Sequence, residues 1–248
     1  MRLARIATAD GPRPVVADTD SWKAVADLFA SPPVPTGESW PQEGAVLLAP
    51  VEPRVVLGMA HNSGPADREL PAGAFLKSAR TVVGPGEPIV HDLDAGSLKG
   101  ECELALVVGR ACRHIDADEA PAFVLGWTAG NDVTAPDRIP GDPSMLSSKS
   151  GDGFTPLGPW IETDLDALGA GLIASVNGVE VAASSTAGLA WNPYEALAFA
   201  SRHLTLGPGD VLLTGSPHTG FGIRSGDECA CEVAGIGTLA NPVVALRR

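Results

Sequence analysis

Apolar and polar positions change their rhythm along the chain. The first fifty residues open on a short strand-like run, continue through "SWKAVADLFAS", whose spacing predicts a helix with Ser21 as N-cap, and reach the turn-rich "PPVPTGESWPQEG". From "PRVVLGMA" onward, short apolar runs alternate with Gly, Pro, Asn and Asp, and 29 Gly and 22 Pro supply the turns of a β-rich core. One helix interrupts it. In "NPYEALAFASRHL", Asn192 is the N-cap, Pro193 takes the first helical position and Glu195 lies in the first turn, which predicts a helix from about Pro193 to His203. A turn, a buried strand over Val211–Thr214 and a Gly-rich loop follow; the loop has neither P-loop nor dinucleotide spacing. These shifts divide the chain into a small N-terminal lobe and linker, 1–52, and a core domain, 53–248.

The run "GECELALVVGR" (Gly100 to Arg110) reads as a strand that begins with two carboxylates. Side chains alternate across a strand, so Glu101, Glu103, Ala105 and Val107 share one face, and Cys102, Leu104, Leu106 and Val108 share the other. The two acids point the same way, about 7 Å apart along the backbone. On residue type alone they fit a solvated edge, an ion pair or a metal site.

With 248 residues, 44% of them hydrophobic, the chain can bury one large domain with a small appendage. Its formal net charge of −13 argues against nucleic-acid and anionic-membrane partners, and an anionic substrate would need local cations. The N-terminal stretch carries no apolar core of signal-peptide length, and no later run approaches about 18 apolar residues, so a soluble cytoplasmic protein is expected. The four cysteines show no CxxC spacing; Cys229 and Cys231 read as same-face core residues of a strand, with reduced thiols.

Downstream of the two glutamates, "VLGWTAGNDVTAPD" ends an apolar run on Asp132, and "SSKSGDGFTPLGPW" places Lys149 among small residues. With these, the sequence resembles the fumarylacetoacetate hydrolase family from roughly Pro53 to Val244. The motifs that carry the likeness are "FLKSARTVVGPGEPI", "ECELALVVG", "GWTAGNDVTAPD", "SKSGDGFTPLGPW", "VNGVEV", "LGPGDVLLTGSPHTGFG" and "GIGTLANPVV", in that order. The resemblance implies an α+β, predominantly β fold: a mixed β-sheet sandwich or roll core with a small N-terminal α/β lobe, assembled as a homodimer. It implies a divalent cation, Mg²⁺ or Mn²⁺, on Glu101, Glu103 and Asp132, and oxygen-only ligands suit such a hard ion. It also maps an active-site lysine onto Lys149 and a substrate-contacting turn onto Thr214 and Gly215.

Two departures from the family pattern stand out. Many members carry a His and a Glu as a water-activating dyad near the substrate entrance; here "GMAHNSGPADRE" places Gly64 at the histidine position and Asp67 at the glutamate position, with His61 three residues early. After Asp132 the chain reads "APDRI", so Pro136 stands at the family's arginine position and Arg138 is the candidate for binding substrate there. The resemblance implies metal-dependent hydrolysis of a carbon–carbon bond in a small 2-oxo acid or 1,3-dicarbonyl compound, with Lys149 acting on the enolate and water activated by the metal, His61 or Asp67. Decarboxylation or keto–enol isomerisation through the same enolate is the alternative, and a non-catalytic binding or scaffold role is the alternative of another class. The segment from about Met59 to Pro71 is expected to act as a lid over the substrate.

Overall fold

The computed structural model of the chain describes residues 1–246. Four strands come first: β1 (Arg2–Thr8), β2 (Gly11–Asp18), β3 (Ser21–Val25) and β4 (Pro35–Pro41). Next are β5 (Val56–Ala60), β6 (Gly73–Lys77), β7 (Val82–Val83), β8 (Ile89–His91), β9 (Leu98–Val108), β10 (Val124–Asn131), the one-turn helix α1 (Leu146–Lys149) and β11 (Thr155–Glu162). The chain continues through β12 (Gly171–Val176), β13 (Val179–Ser185), α2 (Pro193–His203), β14 (Val211–Leu213), β15 (Gly220–Ile223), β16 (Glu228–Val233) and β17 (Gly237–Ala245).

Two mixed sheets result. The larger runs β4-β3-β2-β1-β11-β10-β9-β14-β5-β6, with β15 on β9 and β7 on β11; the smaller runs β13-β12-β16-β17-β8. Pairs β14–β5, β11–β7 and β17–β8 are parallel within otherwise antiparallel surroundings. Strand β9 is central, and from Leu104 to Val108 it is apolar on both faces because both faces are covered. Cys102, Leu104, Leu106 and Val108 pack with Leu172, Cys229, Cys231 and Val233 of the second sheet. Ala105 and Val107 pack on the opposite side with Leu3, Leu157, Ile161, Val211 and Leu213. The alternation read from the sequence is therefore the alternation between two cores, and truncating Leu104 to Ala would cost about 2–5 kcal/mol.

One expected element is not formed. Residues 21–25 make strand β3 rather than the start of a helix. Trp22 packs into a small core with Ala4, Ile6 and Val15, and Ala24, two residues on, is also buried, while β2 and β4 satisfy the backbone on either side. Ser21 donates its hydroxyl to the Asp18 carbonyl in the tight turn and caps nothing. A half-buried pleated face outweighs local helix propensity here, so the N-terminal lobe is built from strands and joins the large sheet through β1 and β11.

Helix α2 forms over Pro193–His203 as expected. Asn192 Oδ1 accepts from the Tyr194 and Glu195 N–H groups, and Glu195 accepts from the Asn192 N–H, a reciprocal capping box. All four cysteines are buried, free thiols. No helix among the described residues is long and apolar enough to cross a membrane.

Candidate active site

The site lies where β9 changes partners. Its first residues pair with β15, Gly220 standing opposite Glu101, and Ala105 to Val107 pair with β14. Between those ladders the segment 214–219 crosses the strand and satisfies it with side chains. Thr214 Oγ1 donates to the Leu104 carbonyl at 2.7 Å, and Thr219 Oγ1 donates to the Cys102 carbonyl at 2.6 Å. Gly215, at φ 110, turns its N–H onto Glu103 Oε2 at 2.7 Å. A Cβ there would lie 2.4 Å from the Asn62 carbonyl oxygen, so both the backbone angle and the space demand glycine.

On the other side of β9, the register Asn131↔Cys102 brings the end of β10 alongside the acids. Asn131 Oδ1 accepts the Glu101 N–H at 2.9 Å and the Asp132 N–H donates to the Glu101 carbonyl at 3.0 Å, which turns Asp132 toward the two glutamates. One ligand oxygen from each of Glu101, Glu103 and Asp132 lies within 4.8 Å of the others. Around a cation at ~2.1 Å, neighbouring ligand oxygens stand ~3 Å and opposite ones ~4.2 Å apart, so the three carboxylates can reach one ion with small adjustments. No His or Cys joins this cluster among the described residues, so the donors are all oxygen and suit Mg²⁺ or Mn²⁺ rather than zinc.

Three lysines surround the acids. Lys149 Nζ donates to Asp132 Oδ2 at 2.5 Å and to Glu101 Oε2 at 3.2 Å. Lys77 Nζ, fully buried, donates to Asp132 Oδ1 and to the Val133 carbonyl. Lys99 Nζ, half exposed, donates to Glu101 Oε1 at 2.8 Å. Glu103 is the acid left without an ammonium, and its carboxyl is held well above the usual range by burial, with the Asp132 and Glu101 charges adding to it. That frustration is what a divalent cation relieves. Burial alone would raise Asp132, but Lys77 and Lys149 outweigh it and hold it below the usual carboxylate range. Burial would likewise lower Lys149, yet the Asp132 and Glu101 charges dominate and keep it a firm ammonium. Lys77 falls below its ordinary value because its burial is complete.

Helix α1 delivers Lys149. Asp142 builds that turn, accepting the Leu146 N–H on one oxygen and the Ser148 N–H and hydroxyl on the other, at 2.8–3.1 Å. Lys149 Nζ also stands 4.6 Å from the centroid of the Phe75 ring.

The family model for the fumarylacetoacetate (FAA) hydrolase C-terminal domain matches residues 51–244, more than half of the chain. The chain belongs to the fumarylacetoacetate hydrolase family. A second model, Rv2993c-like N-terminal, matches residues 1–50. Protein Rv2993c of Mycobacterium tuberculosis is 35% identical over 98% of each chain. The mitochondrial oxaloacetate tautomerase fahd2 of Xenopus laevis is 33% identical over 80% of this chain and 68% of its own. Among solved structures, a 5-carboxymethyl-2-hydroxymuconate delta-isomerase from Mycobacterium smegmatis is 39% identical with a TM-score of 0.93, covering 99% of this chain and 100% of that one.

The residues that the family likeness singles out are not all brought together. Glu101, Glu103, Asp132, Lys149 and Gly215 converge, with Thr214 bonded to the strand beneath them. Arg138 does not point at the acids through any described contact: its guanidinium donates to Asp92 at 3.0 Å and to the Ser147 carbonyl at 3.4 Å. Asp67 accepts the Ser63 N–H at 2.7 Å inside a 3₁₀ turn over Pro65–Glu69. His61 is exposed, at φ 53, one residue before the buried Asn62. Asn62 is saturated: it exchanges hydrogen bonds with the Trp191 backbone and donates to the Thr214 carbonyl, pinning the entrance segment to the 214–219 loop. Arg68 fastens the same segment from outside, paired with Glu195 at 2.7 Å and stacked 3.8 Å from the Trp191 ring centroid. The sequence reading passed over Lys77, Lys99 and Asn62. Of these, Lys99 was legible, because it precedes Glu101 on one face of β9.

Proposed function

We propose that the chain isomerises a small 2-oxo acid by moving a proton at the carbon beside the 2-oxo group, through an enolate. Glu101, Glu103 and Asp132 would hold a divalent cation, which when bound supplies a Lewis acid for the substrate's oxygens. The Lys149 ammonium, fixed on Asp132 and Glu101, faces the negative charge that appears as the enolate forms, and an oriented charge in a buried site costs no reorganisation at that moment. Lys77 keeps Asp132 ionised and in place. The observation that favours proton transfer over hydrolysis is the state of Asp67: its carboxylate accepts the Ser63 N–H, Gly64 stands where the family's water-activating histidine would be, and among the described residues no imidazole is hydrogen-bonded to Asp67. The likeness to the Xenopus oxaloacetate tautomerase and to the Mycobacterium smegmatis delta-isomerase supports the same reading.

The second reading is hydrolytic carbon–carbon cleavage, favoured by the exposed imidazole of His61, which makes no hydrogen bond among the described residues. The two separate on product identity. With Mg²⁺ present, enol absorbance of oxaloacetate and of an acylpyruvate should relax faster than in buffer, with no pyruvate released from the acylpyruvate. Stoichiometric pyruvate release would instead establish hydrolysis.

A further inference from the structure

The loop that closes over the acids carries a histidine without an assigned task. His218 is exposed, and its imidazole makes no hydrogen bond among the described residues. Its backbone is left-handed, φ 60, an uncommon conformation for a residue with a side chain. The loop enforces it. The His218 N–H donates to the Ser216 carbonyl at 2.8 Å, the Ser216 and Thr219 hydroxyls join at 2.8 Å, and Thr219 is fixed to Cys102. Three residues before His218 the chain is tied to the Glu103 carboxylate through Gly215, and two residues after it Gly220 pairs opposite Glu101. The imidazole is thus carried between the anchor points of two of the three acids.

The ring reaches over Gly64. A Cβ at residue 64 would lie 3.1 Å from His218 Nε2 and 3.5 Å from its Cε1. Gly64 has φ −175, an extended angle that any residue adopts, so its backbone does not ask for glycine; the His218 ring borders the space its side chain would enter. Among the other groups at the site, Lys77, Lys99 and Lys149 donate to carboxylates and Asp67 accepts a backbone N–H, which leaves the imidazoles of His61 and His218; of these two, His218 belongs to the loop anchored on Glu103 and Glu101. We infer that His218 is the proton carrier of the site, its Nε2 exchanging the proton with the substrate carbon beside the 2-oxo group. This rests on the isomerase reading above. In the enol-forming direction the C–H bond breaks, its proton forms an N–H bond at Nε2, its electron pair becomes the carbon–carbon double bond, and the carbonyl oxygen takes the negative charge. Solvent then protonates that oxygen and removes the proton from the imidazolium. The reverse sequence protonates carbon.

The test uses the full chain with Mg²⁺ and oxaloacetate. His218→Asn keeps a residue that tolerates the left-handed backbone, and His218→Gly opens a hole the size of an imidazole. The inference expects kcat of His218→Asn to fall by roughly 10²- to 10⁴-fold, the range typical of a lost general acid–base group, with KM and Mn²⁺ affinity unchanged. Added imidazole should restore His218→Gly, and Gly64→His combined with His218→Gly should regain activity by bringing a ring back to the same space. A His218→Asn kcat within about threefold of wild type, or a loss that neither imidazole nor Gly64→His relieves, overturns the inference while leaving the isomerase reading intact. Absence of turnover by the wild-type chain on every 2-oxo acid tried overturns both.

Discussion

Replacing Gly215 by alanine tests how tightly the site is wound into the fold. Three costs add. The backbone sits at φ 110, where an L side chain is strained by about 1–2 kcal/mol. The new Cβ would meet the Asn62 carbonyl oxygen at 2.4 Å and the Asn62 Cβ at 2.7 Å, and relieving such a clash in a packed setting costs about 1–3 kcal/mol. Displacing the loop also weakens the Gly215 N–H bond to Glu103, a charge-assisted bond worth about 1.5–3 kcal/mol. These overlap, so we take about 3 kcal/mol as the expected loss, or a melting temperature lower by roughly 6–12 °C for a chain of this size. Differential scanning calorimetry reads it, with and without Mg²⁺. Because Glu103 is released, the stabilisation by added Mg²⁺ should shrink as well, and Asn62→Gly in the same chain should recover part of the clash but not the Mg²⁺ response. A melting temperature within about a degree of wild type, or an undiminished Mg²⁺ response, would refute the reasoning.

Three further outcomes follow from the geometry. Glu103 has a folded-state pKa above its unfolded value, so it adds stability below the unfolded pKa that is lost as pH rises through the folded one; metal-free protein should lose stability over that interval, and Glu103→Gln should flatten the loss in a pH series of denaturant midpoints. Asp142→Ala removes the carboxylate that holds α1 and should cost about 1–3 kcal/mol while lowering kcat more than it raises KM, because Lys149 loses its fixed position. Arg68→Ala should speed hydrogen exchange across residues 63–70 and raise KM, whereas unchanged protection there would show that Asn62 alone holds the entrance.

Much of the site was legible because its chemistry is local to strands. The period-two alternation of β9 put Glu101 and Glu103 on one face without any knowledge of neighbours, and the capping residues fixed α2 from Asn192 onward. What the sequence could not show depends on contacts distant along the chain. Residues 21–25 carry a pattern that suits a helix until β2 and β4 are present to pair with them. Gly64 reads as a lost histidine in sequence, yet a ring from a residue 154 positions later stands 3.1 Å from where its Cβ would be. Arg138 looks like a free cation beside Asp132, and only the fold shows it engaged with Asp92. The lysines on Asp132 arrive from β6 and from α1, which neither spacing nor composition connects.

Hydrogen exchange at the substrate carbon reports enolate formation itself. Proton NMR of a 2-oxo acid in D₂O with Mg²⁺ follows loss of the hydrogens beside the 2-oxo group. The wild-type chain should wash them out faster than buffer, a chelator should abolish the effect, Lys149→Met should remove it while leaving Mn²⁺ binding nearly intact, and Asp132→Ala should lose exchange and Mn²⁺ binding together. Exchange no faster than buffer across a panel of 2-oxo acids, or undiminished exchange in Lys149→Met, would contradict the account.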